Sequence, residues 1–150
     1  MTREKIVEKI RADILEFGWH CLSVFPSEGQ DGENFTYTVG LVESFSHPEI
    51  MIFGLSNKTS HGILTDCVEK VGNGKVFRSD VEYDDVIGGD YKVLFKEVRS
   101  EFLSEYFGAA ARYYGSKEFS GLVMFWPDKN RRFPWDETQS DAQREGLSIV

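Results

Sequence analysis

Apolar residues recur at helical spacing in three segments of the chain. In residues 3–17, isoleucines lie four positions apart and most positions between them are charged, which predicts an amphipathic helix. Gly18 follows and is suited to end this helix. Residues 57–71 and 100–114 carry similar apolar stripes, and a glycine follows each of them. The pattern therefore predicts three helices.

The other apolar segments are short and rich in β-branched and aromatic residues, which predicts five or six strands. They are residues 19–25, 35–41, 50–55, a short part of 75–85, 91–98 and 122–126. Residues 50–55 are almost wholly apolar, which is typical of a strand covered on both faces. The segment before them is predicted to be a bend, because Pro48 disfavours a helical conformation at His47.

The order of these elements indicates the fold class. Helices do not alternate strictly with strands, which argues against a doubly wound α/β fold and favours an α+β fold. We predict a single domain over residues 1–135 with an antiparallel or mixed sheet of five to six strands and about three packed helices. A split barrel is one form that such a sheet can take. Residues 136–150 are polar and aperiodic, and are expected to form a mobile tail.

Charge and composition narrow the classes of partner. The 150 residues carry a net charge of −8, and an acidic surface repels phosphate backbones, so we expect no nucleic-acid partner. The charged N-terminus does not resemble a secretory signal, and no apolar run is long enough to cross a membrane. Two cysteines do not suggest a disulfide framework. We expect a reduced, cytoplasmic protein that does not bind a membrane.

Familiar catalytic and cofactor motifs are missing from the sequence. Residues 72–75 read Gly-Asn-Gly-Lys, but they lack the preceding strand and the following Ser or Thr of a phosphate-binding loop. The three histidines lack the spacing of zinc ligands, so no metal is predicted. There is no Gly-x-Ser-x-Gly elbow, and catalytic residues stay unassigned. The sequence leaves open whether the protein is an enzyme.

A first group of candidate ligand-binding residues lies at the entry to the apolar strand 50–55. His47 and Glu49 flank Pro48, and an imidazole at a strand entry is suited to act as a base or to hold a ligand. Tyr37, in strand 35–41, is included with them. The alternative is a turn in which His47 caps a backbone group and Glu49 is solvated.

A second group follows the last predicted strand. Trp126, Asp128 and Trp135 lie around two prolines and two arginines, and together they are suited to form the wall of a ligand site. The alternative is a hydrophobic clasp, in which residues 133–135 fold back over the sheet and Asp128 stabilises a tight turn.

Several strings along the chain are typical of a known family. From about Gly18 to Trp135 the sequence resembles a family of small bacterial proteins, the domain of unknown function DUF4262. The strings that carry the resemblance are Gly18-Trp19-His20, Phe35, Tyr37-Thr38-Val39-Gly40-Leu41, His47-Pro48-Glu49, Phe53-Gly54-Leu55, Trp126-Pro127-Asp128 and Phe133-Pro134-Trp135. The resemblance implies no particular reaction, substrate or cofactor.

A second resemblance concerns only the order of elements. A strand, a bend with a proline, a buried strand and a helix also follow one another in FMN-binding split-barrel proteins, flavin reductases among them. This similarity implies FMN as a cofactor and an oxidoreductase activity. Residues 57–60, at the start of a predicted helix, are suited to hold an anion such as the FMN phosphate.

We therefore expect a small binding or interaction domain. Its binding surface is predicted to combine His47 and Glu49 with Trp126, Asp128 and Trp135, and no cofactor is predicted for it. The partner is expected to be a protein, for example a toxin if this is an immunity-type protein, or a small molecule. An FMN-binding split-barrel protein is the alternative. The aromatic content, 14% of the residues, is also compatible with a homodimer formed through an exposed edge or helix.

Overall fold

One sheet of six strands runs through the centre of the protein. The computed structural model describes residues 2–27, 29, 32–137 and 141–150. The strands are β1 (His20–Val24), β2 (Phe35–Val39), β3 (Glu49–Phe53), β4 (Glu82–Tyr83), β5 (Val93–Glu97) and β6 (Gly121–Phe125). Their order across the sheet is β1-β2-β3-β6-β5-β4. The central pair β3–β6 is parallel and the other pairs are antiparallel, so the predicted mixed sheet is confirmed.

The sheet is open, so the split-barrel form suggested by the order of elements is wrong. Among the described residues, β1 pairs with β2 alone and β4 with β5 alone, which leaves β1 and β4 as the two edges. β4 consists of only two residues, too few to close a sheet by pairing along β1. A barrel needs every strand to have two neighbours, and this topology does not provide them.

Helices cover both faces of the sheet. They are α1 (Arg3–Phe17), α2 (Leu41–Phe45), α3 (Asn57–Gly72), α4 (Leu103–Tyr106), α5 (Gly108–Tyr114) and α6 (Arg144–Leu147). The predicted helix 3–17 is confirmed: Thr2 caps its first turn, and Gly18 ends it with a φ of 90°. In the described part of the chain, no helix has the length and apolar character that crossing a bilayer requires.

Two helical segments differ from the prediction. The segment before β3, predicted to be a bend, contains the short helix α2 between two left-handed residues, Gly40 and Ser46. The predicted helix 100–114 is divided into a 3₁₀ turn, α4 and α5. The division between α4 and α5 falls at Phe107, whose backbone leaves the helical conformation while its ring is fully buried.

The core has two layers, one on each face of the sheet. On the first face, α1 and α5 cover the apolar side chains Tyr37, Val39, Met51, Phe53, Val123 and Phe125. On the second face, α3 covers Ile50, Ile52, Leu122 and Met124. Successive residues of β3 therefore enter opposite layers, as expected for a strand that is buried on both faces.

The last ten residues belong to the folded domain, in contrast to the mobile tail expected over residues 136–150. Ile149 is buried in the first layer, and its carbonyl accepts a hydrogen bond from the backbone N–H of Arg99 (2.9 Å). The side chain of Gln143 bonds to both backbone groups of Trp126. Isolated anchors of this kind leave no periodic pattern in a sequence. Residues 138–140 of the expected tail lie outside the described residues.

A substitution at Gly121 tests how closely β6 packs against Phe107, the residue that separates α4 from α5. A Cβ at Gly121 would lie 2.7 Å from ring carbons of Phe107. We expect Gly121→Ala to lower the free energy of unfolding by about 1–3 kcal/mol, because this part of the core has no room for a methyl group. Urea unfolding monitored by circular dichroism measures the change.

Gly62→Ala is the matched control, because Gly62 lies in α3 and a Cβ there would meet nothing within 4 Å. It should raise the free energy of unfolding by up to about 1 kcal/mol, since alanine favours a helix over glycine. Equal stability of the two variants would contradict the packing described for Gly121.

Candidate functional site

Glu49 is fully buried and accepts five hydrogen bonds. The donors are the hydroxyls of Thr38 (2.8 Å) and Tyr114 (2.5 Å) and the backbone N–H groups of Gly40 (3.2 Å), Leu41 (3.1 Å) and Val42 (3.1 Å). The three N–H groups form the N-terminus of α2, where Gly40 offers no capping side chain. The Glu49 carboxylate thus supplies the cap from the neighbouring strand.

The donors around Glu49 and its burial have opposite effects on its charge. Thr38 and Tyr114 each accept a backbone N–H, so their own hydroxyl hydrogens point to the carboxylate. Burial raises the pKa of Glu49, whereas the hydrogen bonds from Tyr114, Thr38 and the backbone of α2 lower it, and burial has the larger effect. All of these contacts lie inside the protein, and they hold the ends of β2 and β3, α2 and α5 together.

His47 is also buried, and both nitrogens of its ring bond to backbone groups. Its Nε2 accepts the N–H of Phe77 (3.0 Å), and its Nδ1 lies 2.8 Å from the carbonyl oxygen of Pro48. Since a carbonyl can only accept, Nδ1 carries the hydrogen and the ring is neutral. Burial lowers the pKa of His47. This is the capping arrangement that the sequence left as the alternative for His47, whereas Glu49 is buried rather than solvated.

Tyr37 caps a helix in a similar way. Its hydroxyl accepts the backbone N–H of Ala109 (3.0 Å), in the first turn of α5, and its ring lies in the core against Phe107. Burial raises the pKa of Tyr37 to about 12. The hydroxyl therefore remains protonated and serves the end of α5.

The second group of candidates forms a clasp over the other end of the sheet. Trp126 donates its indole N–H to the carbonyl of Phe53 (2.9 Å). Asp128 accepts two backbone N–H groups of the turn that follows it, from Asn130 and Arg132. Trp135 stacks on Phe133, with ring centroids 4.7 Å apart, and 39% of its surface is exposed.

The two groups of candidate residues do not form one surface. Glu49 at the start of β3 is paired with Gly121 at the start of β6, and Trp126 follows the end of β6. Five residues of a strand span roughly 16 Å, so the sheet separates the two groups. Their polar groups are mainly engaged in holding turns, helix ends and strands in place.

A different set of side chains converges at the β1 edge. α1, β1 and α3 enclose a groove of about 790 Å³, here called the β1 groove, whose polar and aromatic lining includes Asp13, Trp19, His20, Asn57, Lys58 and His61. α1 lies on the first face of the sheet and α3 on the second. The β1 groove therefore crosses the outer edge of β1.

Asp13 and His20 form a carboxylate–imidazole pair in this groove. Nδ1 of His20 lies 2.6 Å from the Asp13 carboxylate, which also accepts a hydrogen bond from Lys9 (2.9 Å). Burial raises the pKa of Asp13, but the bonds from His20 and Lys9 outweigh it and hold the pKa below its usual value. Nε2 of His20 makes no hydrogen bond with any described residue. A pair of this kind orients an imidazole for proton transfer or for binding.

The opposite wall of the β1 groove is aromatic and cationic. Trp19 stacks on His61 of α3, with centroids 6.1 Å apart and planes inclined by 23°. Lys58 is exposed on the same helix and makes no ion pair with a described residue. With neutral histidines, two lysines and one aspartate give the lining a formal charge of +1, in a chain of net charge −8.

Sequence reasoning missed this groove because its members come from separate elements. An amphipathic helix over residues 3–17 leaves its charged positions, Asp13 among them, on the solvent face, and His20 was considered with the other histidines for the spacing of zinc ligands. The available signal was Gly18, because a left-handed turn directly after a helix brings the following strand back along it. Among the described residues, no three His, Cys, Asp or Glu side chains are grouped as metal ligands.

Comparison with known proteins covers most of the chain. A family model described as "Domain of unknown function (DUF4262)" matches residues 13–140. The matched range includes Asp13, His20, Lys58 and His61 of the β1 groove. No curated protein and no solved structure matches the chain.

His47 leads to a prediction about pH. Because its pKa is lowered in the folded protein, the unfolded chain binds more protons below the ordinary histidine pKa of about 6.5. Stability should therefore fall as the pH falls through this value, by up to about 1.4 kcal/mol per pH unit from this residue. His47→Gln, which keeps an acceptor for Phe77, should lose this contribution. Urea unfolding of both proteins between pH 7.5 and pH 5 measures it, and parallel curves would contradict the assignment.

Glu49→Gln tests the carboxylate cap. The amide would place N–H groups against donors that now point at an oxygen, so we expect a loss of about 2–4 kcal/mol in the free energy of unfolding. Glu43→Gln is the control, because Glu43 accepts a hydrogen bond from Tyr113 at the surface and should cost less than about 1 kcal/mol. Similar small losses in chemical denaturation of both variants would show that the buried network contributes little.

Proposed function

The chain belongs to the DUF4262 family, whose description names no function, and from its geometry we propose that it is a binding domain with the β1 groove as its ligand site. The observation that carries the proposal is the convergence of three unlike groups on one groove. These are the imidazole of His20, the ammonium group of Lys58 and the stacked rings of Trp19 and His61. Such a combination suits an anionic ligand with an apolar or planar part.

Glu49 and His47 are less suited to bind a ligand, because their polar atoms are already engaged. The Glu49 carboxylate already accepts five hydrogen bonds, and both ring nitrogens of His47 are engaged. In the β1 groove, by contrast, His20 and Lys58 have polar atoms that no described residue satisfies. A binding site needs polar atoms that have no partner within the protein. A ligand loses hydrogen bonds to water when it binds, and such atoms replace them.

A protein partner in a reducing, cytoplasmic setting is the form of this function that we favour. Both cysteines are free. Burial raises the pKa of Cys21 to about 11 and that of Cys67 to about 12, so both stay thiols and neither is suited to be a nucleophile. An immunity-type protein is one example of such a binder.

Proton transfer is a second candidate function, favoured by the Asp13–His20 pair. The carboxylate holds Nδ1, and Nε2 is left to accept a proton from a bound molecule. FMN binding has less support, because the open sheet removes the split-barrel argument for it. A thermal shift with FMN, or yellow colour in the purified protein, would revive that alternative.

A nuclear magnetic resonance titration tests the binding site. The probes are benzoate and its uncharged analogue benzamide, added to ¹⁵N-labelled protein. We expect benzoate to shift the amide signals of Trp19, His20, Lys58 and His61, and benzamide to bind more weakly. Lys58→Glu should weaken benzoate binding about three- to tenfold, because it replaces an attractive charge with a repulsive one.

Lys129→Glu is the matched control for this titration. It makes the same change of charge at an exposed turn on the Trp126 side of the sheet, and benzoate affinity should stay close to that of the unchanged protein. Signals that move only in the clasp around Trp126, or equal losses in the two variants, would contradict the β1 groove as the binding site.

A further inference from the structure

We infer that the β1 groove receives an extended segment of a protein partner, which pairs with β1 as an additional strand of the sheet. The inference rests on the proposed function, since it names the ligand of the same groove. It depends on a separate observation, however, which is the state of the backbone along β1 rather than the side chains around it.

The outer edge of β1 has backbone groups without partners. Five residue pairs join β1 to β2 on its inner side. In an antiparallel pair, alternate residues turn their N–H and C=O groups away from the neighbouring strand. No described residue forms a backbone or side-chain hydrogen bond with these groups of His20–Val24. They form a row of donors and acceptors along the floor of the β1 groove.

The opposite edge of the sheet is protected and β1 is not. β4 has only two residues, and Glu82 forms an ion pair with Lys92, the residue before β5 (3.9 Å). Short length and charged side chains are the usual means of preventing a sheet edge from pairing. β1 is five residues long and reads His-Cys-Leu-Ser-Val, without lysine, proline or an acidic residue. The edge of β1 that faces the β1 groove therefore has neither the short length nor the charged side chains that protect β4.

The helices beside β1 leave a slot that fits a strand. α1 borders the slot on the first face through Asp13 and Phe17, and α3 borders it on the second through Lys58 and His61. Side chains of an added strand would point alternately to these two walls. Backbone pairing then supplies affinity, and the two walls select the side chains, as in other cases of strand addition.

The charges of the groove indicate what the segment carries. Lys58 has no ionic partner among the described residues, so an acidic side chain on the α3 side complements it. An apolar or aromatic neighbour on the same side would cover the Trp19–His61 pair. A second copy of this chain is a poorer occupant, because its β1 has no acidic residue and its own Lys58 would bring a like charge.

The experiment selects segments and then asks how they bind. A displayed library of random twelve-residue peptides is selected against the full chain, and the peptides obtained are synthesised. We expect them to share an acidic residue and to slow the hydrogen exchange of amides in His20–Val24. N-methylation of the peptide backbone should weaken binding at least about tenfold at alternate positions and little at those between, because only alternate N–H groups of an edge-paired strand face β1. Lys58→Glu should weaken binding about five- to tenfold, and Lys129→Glu should not.

Other results would overturn the inference. Peptides that leave the exchange of β1 amides unchanged, an N-methylation profile without alternation, or a library that yields no binder would each exclude strand addition. If benzoate still binds at Lys58 in those cases, the proposed function stands without it; if benzoate binding also fails, both are wrong. A dimer in light scattering whose β1 amides are already protected would assign the edge to a second copy.

Discussion

The arrangement around β3 depends on a single buried carboxylate. Glu49 gathers five donors from β2, from the N-terminus of α2 and from α5 around one side chain. A charged group without partners is costly inside a protein, and so is a helix end without a cap. Here both costs are avoided together. The N-terminus of α2 supplies donors that the carboxylate requires, and the carboxylate caps the end of the helix. The loop between β2 and β3 is held as a consequence.

Tyr37 extends the same principle to a second helix. Its hydroxyl caps α5, just as the Glu49 carboxylate caps α2, so the sheet provides polar groups to two helices that lack capping side chains of their own. The capping roles of Glu49 and Tyr37 explain why the sequence singled them out as candidate functional residues. A polar side chain in an apolar segment indicates that something must satisfy it, and in both cases the protein's own backbone does so.

Local patterns predicted the parts of the fold whose causes are local. Helix α1, its end at Gly18 and the two-sided burial of β3 follow from residues close together in sequence. Helix α2 was missed because its cap comes from Glu49, beyond a proline that argued for a bend. The anchoring of Ile149 was missed because one apolar residue has no period. The β1 groove required the relative placement of α1, β1 and α3, which arises from tertiary packing and not from any one segment.

The parallel pair at the centre of the sheet has a consequence for the entropy of the chain. β1, β2 and β3 are consecutive in sequence, and β4, β5 and β6 are consecutive as well, so within each trio the strands that pair follow one another along the chain. The sheet joins the two trios through the pair β3–β6, where Glu49 meets Gly121, 72 positions later. Closing such a long loop costs more conformational entropy than closing the short ones on either side. The entropy cost of closing the long loop is therefore paid at the β3–β6 pair. This pair lies in the middle of the sheet, where every residue of both strands is buried.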